Sequence, residues 1–150
     1  MRYASLDDMV ASIGADTVRA IADHDGDRVA DVDVVERALD EASALANTYL
    51  SPDVVKYIDP LAVPLALRRA VVDIAQQYMR QSRDMSTDDS RAAYASAIRW
   101  LERIAQGTAN LGVTVPPGAD DGSSVAYDSA DPEAEGQPRI WNRTSSSRVF

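Results

Sequence analysis

The stretch "DHDGDRVADVD", Asp23 to Asp33, places five aspartates and one glycine among eleven residues. Carboxylates at alternate positions are the donors of a calcium loop, which wants acids at positions 1, 3 and 5, glycine at 6 and a bidentate glutamate at 12. Counted from Asp23, Asp25 and Asp27 fall correctly, but Arg28 takes the glycine position and Val34 the glutamate position. Counted from Asp25, Glu36 closes the loop, yet Val29 and Ala30 stand where a ligand and the glycine belong. Asp23, Asp25 and Asp27 are therefore candidate metal ligands in an incomplete cage. The simpler reading is an acidic turn at Asp25-Gly26, with Asp31 or Asp33 capping the next helix and the acids facing its positive end.

His24, the only histidine, sits between two of these aspartates. Sequence neighbours rarely form a working dyad, and no serine elbow, P-loop or glycine-rich dinucleotide turn is present. The expectation is a chain that is not an enzyme and needs no cofactor. Cysteine is absent, so disulfides and thiolate metal sites are excluded. A net charge of −9 opposes unaided binding to DNA, because phosphate contacts need clustered cations. Lys56 is the only lysine; the other cations are arginines, which suit carboxylate pairing at protein interfaces but also follow from GC-rich codon usage. No apolar run has the length of a membrane span or the form of a signal peptide, so a soluble protein made in a cytoplasm is expected.

The elements that must position these residues read as helices. "SLDDMVASIG" carries a capping box, Ser5 to Asp8, and a glycine stop at Gly14. "ADTVRAIAD" predicts a second short helix capped by Asp16. A third is predicted from Asp33, with Glu36 in capping-box spacing. Its apolar stripe is Val35, Ala38, Leu39, Ala42, Leu45, Ala46, Tyr49 and Leu50. "SPDVVKYIDPLAVP" reads as a proline-punctuated connector whose apolar residues tuck under the bundle. Pro64 then opens a helix with Leu67, Ala70, Val71, Ile74, Ala75 and Tyr78 inward, and with Arg80 and Arg83 at its negative end. The last helix runs from Thr87 or Asp88 to Gln106, burying Tyr94, Ala97, Ile98, Leu101 and Ala105. Trp100 lies at the edge of that stripe, as core rim or as a partner contact.

From Leu111 the composition turns rich in Gly, Pro, Ser and Asp, and helical periodicity ends. The acids of this tail lie between Asp120 and Glu135, and its arginines, Arg139, Arg143 and Arg148, follow them. Ile140, Trp141, Val149 and Phe150 share that basic end, which has the character of a docking peptide on an acidic tether. Roughly 40 residues at about 3.3 Å each span up to about 130 Å. The expected architecture is all-α: a compact bundle of four to five helices over 1–111 and an extended, mostly irregular arm over 112–150.

In order along the chain come "MRYASLDDMV", "DHDGDRVADVDVVERALDEASALANTYL", "PLAVPLALRRAVVDIAQQYM", "YASAIRWLERIAQGTANLGV" and "RIWNRTSSSRVF". This order resembles the Mu-like phage and prophage head–tail adaptor family, over nearly the whole chain. Tyr3 and Ala4 match its opening "YA", and Asp25, Gly26 and Asp27 its Asp-Gly-Asp loop. Ala42, Ser43, Tyr49 and Leu50 match its next helix, and Pro64, Leu67, Arg68, Arg69, Asp73, Ile74 and Ala75 its "P..LRR...DIA". Tyr94, Ala97, Trp100, Leu101, Ile104, Ala105, Gly107, Leu111 and Gly112 match its last helix. Pro138, Arg139, Arg143 and Ser145 match its C-terminal arm, where Ile140-Trp141 replaces the usual Val-Phe pair and "SSSRVF" departs from the common finish.

The resemblance implies a ring of copies, twelve-fold by similarity to other tailed-phage connectors, in the neck of the virion. It would join the portal protein to a tail terminator or other neck protein and pass double-stranded DNA through its centre without reading sequence. Assembly would take place in the host cytoplasm, with no membrane involved. Twelve chains at −9 carry roughly −108 formal charges before screening, and acids lining the channel would repel phosphates. The expected contact residues are Trp100, Arg139, Ile140, Trp141, Arg143, Arg148, Val149 and Phe150. Alternatives are another neck or tail-completion protein, or a calcium-binding interaction module.

Overall fold

The structure, a computed structural model, describes residues 1–113. Six helices form among them: α1 (Leu6–Ile13), α2 (Ala15–Ala22), α3 (Val32–Tyr49), α4 (Pro52–Lys56), α5 (Leu65–Ser82) and α6 (Asp88–Ala105). The described residues hold no strand, so the all-α expectation holds, with α4 added inside the connector. Residues 114–150, including every expected contact residue of the arm, lie outside the described residues.

Local chemistry sets most boundaries. Ser5 Oγ accepts from Asp8 N–H at 3.2 Å, and the Asp8 carboxylate accepts from Ser5 N–H at 2.9 Å, closing the capping box of α1. Gly14, at φ 84°, ends α1 and opens α2; its positive φ suits a residue without Cβ. Asp16 therefore does not cap α2 as expected, but pairs with Arg19 at 2.8 Å in the first turn. The capping box expected at Asp33 and Glu36 is also replaced. Asp31 is the N-cap, its carboxylate turns back to accept from His24 N–H at 2.9 Å, and Glu36 faces Arg2 at 3.3 Å. Ser51 caps α4 through Val54 N–H, Pro52 fits its first position, and Lys56 pairs with Asp53 at 2.7 Å. At α6, Thr87 and Ser90 exchange backbone-to-hydroxyl bonds of 3.1 and 3.2 Å.

α5 is the central rod. It packs against α1, α2, α3 and α6, and accordingly buries Leu67, Ala70, Val71, Val72, Ile74, Ala75 and Met79 around much of its circumference. α3 runs antiparallel beside it, for Val34, Ala38 and Glu41 share one small cavity with Tyr78, Met79 and Ser82. The predicted α3 stripe is buried, apart from Leu45 and Tyr49, which are partly covered. α6 leans on α5 and α3 and fully buries only Ser90, Ala97 and Leu101; Ala105, expected inside, is exposed. Truncating Leu101 would cost about 2–5 kcal/mol, enough to loosen α6. Gln77 is the buried polar residue of α5, and it is satisfied: Ser90 Oγ donates to its Oε1 at 2.7 Å, and its Nε2 donates to Ser86 at 3.2 Å.

The N-terminal strap completes the core. Tyr3 and Ala4 are buried against α3, with Tyr3 N–H donating to Ser43 Oγ at 3.1 Å and the phenol donating to Asn47 Oδ1. Arg2 beside them forms a two-pronged contact to Asp40, 2.7 and 2.9 Å, which raises the guanidinium pKa and lowers that of Asp40.

Candidate interaction surfaces and the acidic loop

Residues 23–31 connect the C-terminus of α2 to the start of α3, and their carboxylates serve their own backbone. Asp23 accepts from Gly26 N–H at 2.6 Å and from Arg28 N–H at 3.1 Å. Asp25 accepts from Asp27 N–H at 3.1 Å, and Asp27 from Val29 N–H at 2.7 Å. The Asp25 and Asp27 bonds are Asx turns and those of Asp23 span three and five residues; each satisfies a backbone donor that the tight path leaves without a helical partner. Gly26 and Arg28 both take positive φ, 81° and 69°. Arg28 thus occupies a left-handed position that an L side chain adopts at a cost. Asp31 N–H to Ala22 O at 3.3 Å closes the base, and the guanidinium of Arg83, the residue after α5, donates to the Asp23 carbonyl.

The loop gathers Asp23, Asp25 and Asp27 with one oxygen of each within 4.8 Å of the others. The three candidate ligands are therefore brought together, and they could contact a cation. The positions that would complete a calcium cage hold Arg28 and Val34, which offers no side-chain oxygen. A cation would also compete with the backbone donors already held. The acidic-turn reading describes what the local geometry does. His24 is exposed, and its Nδ1 lies 3.2 Å from Ala22 O.

On the opposite half of α5 a second polar cluster faces α1. Arg68 donates to Asp8 at 3.0 Å and to Val63 O at 3.3 Å. Burial alone would raise the Asp8 carboxyl, but the Ser5 N–H and hydroxyl and the Arg68 charge together hold it below its usual range. Arg69 donates to Ser12 Oγ and, at 3.3 Å, to Asp73 Oδ2. Its Nε is 3.2 Å from Asp73 Oδ1 as a charge contact, but that buried oxygen has no hydrogen-bond partner. Burial accordingly raises the Asp73 carboxyl despite Arg69. Asp8, Ala11, Ser12, Leu65, Arg69 and Val72 line an open groove of about 350 Å³ here.

Several large apolar residues are exposed: Leu61 at 94 %, Leu65, which lines the groove, at 78 %, and Tyr57. The expectation that the connector's apolar residues tuck under the bundle holds for Ile58 and Val63 and fails for Tyr57 and Leu61. Asp59 accepts from Leu61 N–H at 2.8 Å, and Ala62 N–H donates to Asp59 O at 3.0 Å. Asp59-Pro60-Leu61-Ala62 is thus a turn with Leu61 at its outer corner, a signal readable in the "DPLA" pattern. Val29, Val32 and Met85 are also exposed. Trp100 is partly buried, packed against the core from α6. Arg139, Ile140, Trp141, Arg143, Arg148, Val149 and Phe150 lie outside the described residues.

Comparison with known proteins identifies the family. The family model described as Bacteriophage Mu, Gp36 matches residues 3–127, beginning at the buried Tyr3. A Mu-like prophage FluMu protein gp36 of Haemophilus influenzae is 33 % identical over 113 residues, 75 % of this chain and 72 % of that protein. Gene product J of Escherichia phage Mu is 29 % identical over 135 residues, 88 % of this chain and 92 % of its own length. The chain belongs to the bacteriophage Mu Gp36 family.

Proposed function

We propose that this phage protein is a head–tail adaptor that forms a ring in the virion neck, between the portal and the tail, with DNA passing through the lumen. Its family membership carries the reading, through the resemblance to Mu-like adaptors. The architecture supports it: a helical body with different surfaces at its two ends suits head-to-tail association of copies. The arm of residues 112–150, with Trp141 and Phe150 among arginines, is suited to reach a neighbour, the portal or the tail. Burying such side chains would contribute about 1.5–3 kcal/mol each. The excess of acids would keep the lumen from holding DNA phosphates. The protein performs no catalysis and needs no cofactor; among the described residues no helix is long and apolar enough to cross a membrane.

Deleting the gene in a phage that carries it, with complementation from a plasmid, tests the role. The expected particles are DNA-filled heads and separate finished tails, restored to virions by the plasmid copy. Complete virions from the deletion would end the reading, as would a neck reconstruction in which this chain is missing. A ring lined by arginine would keep the adaptor role but remove the lumen assignment.

A further inference from the structure

Asp25-Gly26 is one of two Asp-Gly pairs in the chain, the other being Asp121-Gly122. An Asp-Gly pair is open to succinimide formation, because glycine puts no Cβ in the way of the closing ring. Both residues of the first pair are exposed, and a Cβ on Gly26 would meet nothing within 4 Å, so the surroundings leave room for that ring. Asp25 Oδ1 accepts from Asp27 N–H at 3.1 Å, an Asx turn that folds the carboxyl group forward over the Gly26 peptide. Asp23 holds the nitrogen back: its Oδ1 accepts from Gly26 N–H at 2.6 Å. A bond to a carboxylate is charge-assisted and strong. It must break before the nitrogen can give up its proton and attack, and the Asp23 charge opposes an amide anion beside it. Asp23 is itself fixed, since its other oxygen accepts from Arg28 N–H at 3.1 Å.

We propose that Asp25 is a site of spontaneous isomerisation to isoaspartate, and that the Asp23 carboxylate restrains it by holding the Gly26 nitrogen. In the first step the Gly26 nitrogen attacks Asp25 Cγ. A C–N bond forms, and the amide proton and a carboxyl hydroxyl leave as water. Water then opens the succinimide. Attack at Cγ restores aspartate. Attack at the main-chain carbonyl breaks the original peptide C–N bond, leaving Gly26 joined to Cγ and a free carboxylate on Cα. No oxidant or cofactor enters. The isoaspartate form carries an extra methylene in the main chain between α2 and α3, and it has lost the side-chain acceptor of Asp27 N–H.

Full-length wild type, Asp23→Ala, Asp23→Asn and Asp31→Ala are aged side by side in warm neutral buffer and digested. Isoaspartate at each position is then measured by electron-transfer fragmentation of the peptides. Asp121-Gly122, in the same molecules, is the internal clock against which position 25 is read. Asp23→Ala should raise isoaspartate at position 25 several-fold relative to position 121. Asp23→Asn, whose amide oxygen still accepts a hydrogen bond, should stay near wild type. Asp31→Ala separates this restraint from general loosening, because it removes the bond from His24 N–H and leaves the one from Gly26 N–H in place; it too should stay near wild type. Absence of isoaspartate at position 25 in Asp23→Ala would overturn the site. Equal rates in wild type and Asp23→Ala would overturn the restraint, as would an equal rise in Asp31→Ala or Asp23→Asn.

Discussion

Replacing Tyr3 with alanine tests whether the N-terminal strap is part of the core. The ring is 1 % exposed, its N–H donates to Ser43 Oγ at 3.1 Å and its phenol donates to Asn47 Oδ1. Truncating a buried aromatic costs about 3–5 kcal/mol, against a total stability of about 5–15 kcal/mol for a domain. With a urea slope of about 1.5 kcal/mol/M, Tyr3→Ala should lower the unfolding midpoint by roughly 2–3 M. Tyr3→Phe keeps the ring and loses only the phenol's hydrogen bond, about 1 kcal/mol or roughly 0.7 M by the same slope. Circular dichroism of the full chain against urea measures both. Should the alanine variant unfold at the wild-type midpoint, the strap peels away freely and its place in the core is wrong. Equal losses for the two variants would instead put the energy in the hydroxyl, against the packing argument.

Three further outcomes are expected. Burial raises the Asp73 carboxyl above its ordinary 3.8 despite Arg69, so the folded chain binds that proton more readily than the unfolded chain. The ionisation penalty is absent below the ordinary value and grows as pH rises through the folded one; Asp73→Asn should therefore gain on wild type over that window in urea midpoints. A difference that is flat or falling with pH would contradict this. Truncation after Val113 should leave helical circular dichroism and solubility intact while heads and tails stay unjoined, and loss of the helical signal would return the arm to the core. Calcium added to about 1 mM should give no saturable heat in calorimetry, because the loop carboxylates already hold backbone donors; a micromolar isotherm would reverse the acidic-turn reading.

Short-range chemistry made much of the fold legible in the sequence. Ser5 with Asp8, and Thr87 at the start of α6, are caps whose partners lie within one turn. The stripes of α3 and α5 follow from helical period, which needs no knowledge of neighbours. Errors came where a residue had a better partner elsewhere. Asp31 serves His24 and Glu36 serves Arg2, so the box expected at Asp33 does not form. α4 is a single turn after Pro52, shorter than periodicity can detect. Val72 and Met79 are buried off the predicted stripe because α5 has neighbours on several sides, a tertiary fact. Three aspartates could be suspected of converging from their spacing, but not that their oxygens hold the loop's own N–H groups. The Leu61 face was missed because exposure of a leucine is set by the turn it occupies.

The lone ammonium group on α4 has a practical consequence. Lys56 is largely exposed and adjoins Tyr57 and the connector that carries Leu61. Amine-directed cross-linking followed by mass spectrometry will return an almost blank map for this protein however tightly its copies associate. The same scarcity turns a succinimidyl dye, apart from labelling the chain's first residue, into a single-point reporter. Fluorescence depolarisation from that point would follow subunits gathering in real time, with no engineered residue.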